Sequence, residues 1–102
     1  MRIIAEGTLR QWARDHARAG ASLGHWVKLV KAARWTSFAG VRSLFGSADL
    51  VRVTSGRKVV VFNIGGNEFR LICAVHFNTG MVFVLKFLTH AKYSEDDWKD
   101  EL

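Results

Sequence analysis

Three long apolar stretches in the second half of the chain constrain its fold most. KVVVFNI (58–64), NEFRLICAVHF (67–77) and MVFVLKFLTH (81–90) are rich in β-branched and aromatic residues, and short segments containing GG and NTG separate them. Such runs, joined by glycine turns, are typical of strands that pair as successive antiparallel hairpins. The sequence therefore predicts a mostly antiparallel sheet, with LVRV (50–53) as a short preceding strand.

The first half of the chain has the periodicity of helices instead. Thr8 is the expected N-cap of a first helix that ends at Gly20, and Ser22 can cap a second one. Residues 35–48 are ambiguous, since two glycines interrupt what would be one or two helical turns. The apolar residues at helical spacing are Leu9, Trp12, Ala13, His16 and Ala17 in the first helix and Leu23, Trp26, Val27 and Val30 in the second.

Short elements are expected at both ends of the chain. We interpret the opening RIIAE as a strand, and residues 94–102 as an acidic tail helix with Ser94 as its N-cap. The order β-α-α-β-β-β-β-α indicates an α+β fold, with a sheet of 4–5 mostly antiparallel strands, two N-terminal helices on one face and a short C-terminal helix. A chain of 102 residues without a linker or repeat is expected to form a single domain, 1–102.

The charge of the chain is unevenly distributed. The formal net charge is +6, but residues 1–93 carry fourteen Lys/Arg against four Asp/Glu, a net of +10, because five acids lie in the last nine positions. A basic body of this kind suits a polyanionic partner, with nucleic acid favoured over a membrane surface. Ordinary solubility charge explains the composition equally well.

Several classes of protein are disfavoured by what the sequence lacks. A single cysteine, Cys73, excludes an internal disulfide and a thiolate metal cluster, and its apolar setting indicates a buried, inert thiol. No apolar run has the length of a membrane span, and the N-terminus has no signal-peptide pattern. The final KDEL is therefore interpreted as a chance match to the retention signal, and the protein is expected in the cytoplasm.

Alternation along the strands assigns the side chains to two faces. If residues 65–66 form a two-residue turn and 78–80 a three-residue turn, one wholly apolar face packs against the helices. The opposite face then gathers Arg70, Lys86 and His90, a convergence of cations that suits an anionic ligand. The expected core face comprises Phe62, Ile64, Phe69, Leu71, Cys73, Val75, Phe77, Met81, Phe83, Leu85 and Phe87. The expected second face comprises Arg57, Val59, Val61, Asn63, Glu68, Arg70, Ile72, Ala74, His76, Val82, Val84, Lys86, Leu88 and His90.

Familiar catalytic motifs are absent from the sequence. GGNEF is neither a Walker loop nor GxGxxG, and it joins two strands, so it is not a phosphate-cradling loop. The four histidines are scattered without metal-ligand spacing, and no Ser or Cys has a nucleophile motif. Metal-free RNA cleavage fits better, because it needs a proton-transfer group and cations that stabilise a phosphorane. His90 could transfer the proton, Arg70 and Lys86 could supply charge, and Tyr93 could stack on a base.

Each of these residues also has an ordinary structural explanation. Arg70 and Glu68 could form surface ion pairs, which contribute about 0–1 kcal/mol. Asn63 or Asn67 could hydrogen-bond the turn backbone, and His76 could be structural or exposed. The combination of Arg70, Lys86 and His90 is more informative than any one of them.

Two linked stretches, VVFNIGGNEFRLICAVHF and VFVLKFLTHAKY, resemble the HigB group of RelE-like toxins from bacterial type II toxin–antitoxin systems. The resemblance covers about residues 58–93. It departs from the family pattern at Ser94 and Lys92, where acidic residues are expected. The matching positions are Phe62, Asn63, Ile64, Gly66, Asn67, Arg70, Leu71, Thr89, His90 and Tyr93.

The resemblance implies a microbial-RNase-type fold and an mRNA interferase, an endoribonuclease that works by 2′-hydroxyl transesterification without a cofactor or metal. The substrate would be mRNA, commonly on the ribosome, and the partner a helix-turn-helix, HigA-like antitoxin. By the resemblance, Arg70 would contact the phosphate, His90 would act as general acid or base, Asn63, Asn67 and Tyr93 would shape the site, and Lys58 or Arg57 would add charge. Lys86 is added from the alternation of the strands, and Lys92 because it raises the local positive charge. The predicted catalytic residues are then His90, Arg70, Lys86 and Tyr93, and the predicted RNA-binding residues are Arg57, Lys58, Asn63, Asn67 and Lys92.

Two other functions stay open at this point. The same basic face could bind RNA or a protein without cleaving it. A ParE-like toxin that poisons gyrase shares the superfamily fold and would not need His90. Cyclic phosphate termini on incubated RNA would distinguish cleavage from binding.

Overall fold

All 102 residues are described by a computed structural model of the chain. The sheet has five strands in the order β1-β5-β4-β3-β2, and only the β1–β5 pair is parallel. The predicted α+β fold with a mostly antiparallel sheet of 4–5 strands is confirmed, and the number of strands is five. The elements are β1 Arg2–Ile4, α1 Glu6–Asp15, α2 Gly20–Ala32, α3 Phe38–Leu44, β2 Asp49–Arg52, β3 Lys58–Ile64, β4 Phe69–His76, β5 Met81–Thr89 and α4 His90–Ser94, with 3-10 turns at Ala17–Ala19 and Asp97–Glu101.

The three N-terminal helices pack against one face of the sheet, which we call the helix face. Trp26 of α2 is buried there, with its ring edge-on to Phe62 of β3 at a centroid distance of 5.3 Å. Trp35, which precedes α3, stacks on the same phenylalanine. Large aromatic side chains bury much apolar surface, so this aromatic cluster is a central part of the helix-face core, which has 18 buried residues. No helix is both long and apolar enough to cross a membrane.

The register of the hairpins differs from the predicted one at three places. Ile64 pairs with Phe69, so the first loop has four residues, 65–68, and the predicted side-chain orientation is kept because two residues are added. His76 pairs with Met81, so the second loop also has four residues, one more than predicted. A β-bulge then shifts the β4–β5 register between Ile72 and Cys73.

The longer second loop reverses the orientation of the first half of β5. Val82 and Val84 therefore belong to the helix-face core, and Leu85 packs on the other face, so the predicted positions of Met81, Phe83, Leu85, Val82 and Val84 are wrong. The bulge places one extra residue of β5 opposite β4 and restores the alternation. Lys86 and Phe87 consequently lie on the faces predicted for them.

The opposite face of the sheet, which we call the second face, is partly covered by the end of the chain. Trp98 is 1% exposed and packs with Val53, Val59, Val61 and Ile72. This second core was not predicted. It divides the second face into a covered part and an open end beside α4.

The predicted boundaries of several helices are wrong. Helix α4 begins at His90 with Thr89 as N-cap, whose side chain accepts a hydrogen bond from Lys92 N at 3.2 Å. Ser94 lies at the end of that helix and donates to His90 O, so the expected helix 94–102 is replaced by a turn and a 3-10 segment. At the N-terminus, α1 begins at Glu6, before the predicted cap Thr8.

Candidate functional site

Arg70 of β4 is the one buried charged residue of the chain, with 8% of its surface exposed. Its guanidinium donates to Asn67 Oδ1 at 2.6 Å and to the carbonyl oxygens of Asn67 and Phe69 at 3.2 and 3.0 Å. None of the six ion pairs includes Arg70. A buried charge without a counter-ion is costly, and the three oxygens that accept from the guanidinium offset part of this cost. Of the two residues for which a surface ion pair was considered, Glu68 forms one, with Arg18 at 3.4 Å, and Arg70 forms none.

His90 lies at the start of α4, directly beside Arg70. Arg70 Nη2 is 3.1 Å from His90 Nδ1, and the backbone N–H of His90 donates to Glu68 O at 2.8 Å. Arginine can only donate hydrogen bonds, so Nδ1 must be the unprotonated ring nitrogen and Nε2 carries the hydrogen. The predicted proximity of Arg70 and His90 is confirmed.

Tyr93 closes the site from one turn further along α4. The Arg70 guanidinium carbon lies 5.7 Å from the centre of its ring, and Trp98 stacks on the ring at 5.2 Å with an interplanar angle of 21°. Burial, together with the negative charges of Asp49 and Asp96, raises the pKa of Tyr93 above its ordinary value, although Arg70 acts in the opposite direction. The phenol is therefore neutral at physiological pH and can donate a hydrogen bond. With Trp98 and Arg70 already over the ring, Tyr93 is poorly placed for the predicted stacking on a base.

Asn63 and Asp49 border the open end of the second face. Asn63 of β3 pairs with Arg70, and Asp49, the first residue of β2, pairs with Val61. Their side chains thus share the face of Arg70, and the Asp49 carboxylate is close enough to act on the Tyr93 phenol. The sequence prediction missed Asp49. A signal was available, since only two acidic residues, Asp49 and Glu68, occur between positions 16 and 94.

Lys86 shares the second face but does not join the site. It pairs with Ile72, whereas Arg70 pairs with Leu88 further along β5. Its ammonium group forms an ion pair with Glu101 of the tail. The predicted common face is confirmed, but the charge of Lys86 is already matched by a carboxylate.

The other predicted RNA-binding lysines and arginine lie away from Arg70 or are paired. Lys92 contacts Asp97 at 3.2 Å and Glu95 at 3.3 Å. The hydrogen bond to Asp97, and to a smaller extent that to Glu95, raises the pKa of Lys92. Arg57 and Lys58 are exposed at the start of β3, about 17 Å along the strand from Asn63. Their contribution to RNA binding stays a prediction.

Asn67, Arg70, His90 and Tyr93 thus form the candidate site, with Asn63 and Asp49 at its border. It combines a buried guanidinium without a counter-ion, a histidine whose Nδ1 lone pair faces that guanidinium, and a neutral phenol. These are the groups that phosphoryl transfer to an internal hydroxyl requires. No group of three or more His, Cys, Asp or Glu side chains has the geometry to hold a metal ion.

Two surface cavities have linings that include none of Arg70, His90 and Tyr93. One of about 470 Å³ runs between α2, the end of α3 and the first hairpin loop, and its lining includes Trp26, Leu44 and Asn63. The other, about 520 Å³, lies beside the N-terminus and the end of α2. Cys73 is buried, which raises the pKa of its thiol and makes it unsuited to nucleophilic chemistry.

Comparisons with known proteins identify the family of the chain. The mRNA interferase HigB of Escherichia coli O6:H1 is 24% identical over 95 residues, which cover 93% of this chain and 90% of the relative. A family model described as HigB_toxin, the RelE-like toxic component of a toxin–antitoxin system, matches residues 19–96. This segment contains every residue of the candidate site. The chain therefore belongs to the HigB family of RelE-like toxins from toxin–antitoxin systems.

Proposed function

We propose that this toxin is an mRNA interferase, an endoribonuclease that cleaves mRNA and thereby stops translation and growth. The observation that carries the proposal is Arg70, a buried guanidinium without a counter-ion that contacts a histidine at 3.1 Å. The similarity to an mRNA interferase HigB supports it. A protein that only bound RNA would not need a proton-transfer group beside its anion site.

The proposed reaction is attack of a 2′-hydroxyl on the adjacent phosphorus. The O–P bond to the 2′-oxygen forms and the bond to the 5′-oxygen breaks, which yields a 2′,3′-cyclic phosphate and a 5′-hydroxyl. Arg70 would bind the scissile phosphate and stabilise the charge of the phosphorane. Asn67, which fixes the guanidinium through Oδ1 and its carbonyl oxygen, would set its direction.

Proton transfer would begin when the phosphate draws Arg70 away from His90. His90 Nδ1, which accepts the hydrogen bond of Arg70 in the free protein, would then take the proton of the 2′-hydroxyl. Tyr93, held neutral by its raised pKa, would give a proton to the leaving 5′-oxygen. Asp49 would act through its charge on Tyr93, whereas His90 contacts Arg70 directly.

We place this reaction on ribosome-bound mRNA, in the cytoplasm, and without a metal. Lys86 and Lys92, the two lysines predicted beside Arg70, are paired with carboxylates, so the immediate surroundings of Arg70 offer few free cations to orient an RNA strand. A translating ribosome would present its mRNA already ordered. The membership in a toxin–antitoxin family implies a neutralising partner, and we propose a HigA-like helix-turn-helix antitoxin.

Brief induction of the toxin in a bacterial host, followed by mapping of RNA 5′ ends, tests the proposal. We expect growth arrest and new 5′ ends within translated reading frames. Arg70→Met and His90→Ala should abolish both while the purified variants stay folded. Growth arrest without new RNA ends, accompanied by DNA breaks, would instead identify a gyrase poison.

A further inference from the structure

The last residues of the chain fold back onto the sheet. After α4, Asp96 adopts a left-handed conformation (φ 65°), which aspartate tolerates better than most residues and which turns the chain back. Three contacts fix the tail to the β2–β3 loop: Thr54 N donates to Lys99 O, Thr54 Oγ1 donates to Asp100 Oδ1, and Ser55 Oγ donates to Leu102 O. The tail from Asp97 lies beyond the segment that the HigB model matches.

The tail delivers Trp98 into the second core. Its side chain is 1% exposed, and it packs with Val53, Val59 and Ile72. Its indole N–H donates to Tyr93 O at 3.0 Å. The indole position is thus fixed by apolar contacts on the sheet side and by a hydrogen bond on the α4 side.

From Trp98, a continuous series of contacts leads to the proposed reacting groups. Its indole stacks on the Tyr93 ring at 5.2 Å, and the Tyr93 ring lies 5.7 Å from the Arg70 guanidinium. That guanidinium contacts His90 Nδ1 at 3.1 Å. No hydrogen bond, ring stacking or cation–π contact joins Trp98 to Arg70 or His90, so the series of contacts that links them runs through Tyr93.

We propose that Trp98 is a positioning residue, through which the C-terminal tail holds Tyr93, and with it Arg70, in the geometry that RNA cleavage requires. The consequence for activity rests on the proposed function, whereas the geometric part does not. Reactions of this kind lose about a hundredfold in rate when a group is misplaced by about 1 Å.

The tail is a support and not a lid. It covers the part of the second face around Val53 and Lys86, where Glu101 forms its ion pair. His90 remains exposed at the open end. A lid would lie over His90 and would inhibit, whereas a support should increase activity.

Two substitutions distinguish positioning from general stability. Trp98→Phe keeps an aromatic ring against Tyr93 and loses the N–H donor, whereas Trp98→Leu keeps apolar burial and loses the stacking. The matched control is Trp26→Leu, because Trp26 is equally buried but packs on the helix face, away from the site. Cleavage of mRNA in a translating extract is measured at a temperature at which every variant is folded by circular dichroism.

We expect Trp98→Leu to lower kcat by about ten- to a hundredfold with a smaller change in KM, Trp98→Phe to recover most of kcat, and Trp26→Leu to keep wild-type kcat. Truncation after Asp96 should lower kcat at least as much as Trp98→Leu. A truncated protein more active than the wild type would overturn the proposal in favour of an inhibitory tail. Equal losses of kcat in Trp98→Leu and Trp26→Leu would overturn it in favour of a stability effect.

A spectroscopic measurement tests the geometry independently of RNA cleavage. Tyr93 is the one tyrosine of the chain, so the ultraviolet absorbance of its phenolate reports its titration alone. Since burial is the largest cause of its raised pKa, Trp98→Leu should move that pKa towards the ordinary value, and Trp26→Leu should not. An unmoved Tyr93 pKa in Trp98→Leu would refute the positioning contact even if cleavage fell. If the wild type cleaves no RNA, the proposed function fails, and this titration still decides whether Trp98 positions Tyr93.

Discussion

Replacing Arg70 by methionine should separate activity from stability. The substitution removes the one buried charge that lacks a counter-ion and fills its place with an apolar chain of similar length. Replacing a buried ion pair by hydrophobic residues is often neutral or stabilising by about 1–4 kcal/mol, and removing an unpaired buried charge acts in the same direction because no attraction to a partner is lost. Against this, the side-chain oxygen of Asn67 and the carbonyl oxygens of Asn67 and Phe69 lose their donor, at about 1–3 kcal/mol in partly buried surroundings. These two effects oppose one another, so we expect the free energy of unfolding to change by no more than about 2 kcal/mol.

The effect on cleavage should be much larger. Loss of one preorganised donor to the transition-state oxygens costs about a hundred- to a thousandfold in kcat, or about 3–4 kcal/mol. The assay is primer-extension detection of cleaved mRNA in a translating extract, with urea unfolding of the same preparations. Arg10→Met is the charge-matched control, because Arg10 is an exposed arginine of α1. Cleavage by Arg70→Met within tenfold of the wild type would refute the assignment of Arg70, as would a loss explained by its unfolded fraction.

Three further predictions concern groups around the site. Asp49→Asn should lower kcat less than tenfold and His90→Ala by about a hundredfold or more, measured in the same extract; the reverse order would make Asp49 the base. Burial raises the folded-state pKa of Tyr93 above its unfolded value of about 10, so its contribution to stability is fully present below that pH and is lost as the pH rises through the folded pKa. The melting temperature of the wild type should therefore fall more steeply above pH of about 10 than that of Tyr93→Phe, and parallel curves would contradict this. Thr89→Ala removes the N-cap of α4 and should cost about 1 kcal/mol in urea unfolding, whereas the exposed Thr36→Ala should cost almost nothing.

The sequence was sufficient to predict which strands exist and that Lys86 and His90 lie on the same face as Arg70. The prediction for Lys86 was correct only because two errors, the length of the second loop and the missed bulge, cancel each other. The second loop is one residue longer than predicted, which reverses the faces of Val82 and Val84, and the bulge before Lys86 restores the predicted faces from Lys86 onward. Alternation has a period of two, so a single residue changes every assignment after it. Loop length and bulge position depend on tertiary packing, which local sequence does not specify.

The tail was predicted least well. Ser94, followed by three acidic residues, matches the sequence pattern of a helix N-cap. In the structure Thr89 is the N-cap instead, because α4 follows β5 directly and starts at His90. Trp98 is surrounded in sequence by acidic residues, which is typical of an exposed segment. The local sequence therefore does not indicate that Trp98 is buried against the apolar side chains of β3 and β4 on the second face. Trp98 and these strand residues meet only in the folded protein. The same packing places the indole of Trp98 on the Tyr93 ring.

The chemistry of the cut ends tests the central claim most directly. Purified toxin is added to a translating extract, and the new termini of the cleaved mRNA are identified by mass spectrometry and by end-specific ligation. The proposed attack by the 2′-hydroxyl, with Arg70 on the phosphate and His90 as base, predicts 2′,3′-cyclic phosphate and 5′-hydroxyl ends that are absent with His90→Ala. Ends carrying a 3′-hydroxyl and a 5′-phosphate would show that water attacks instead, and would contradict the account.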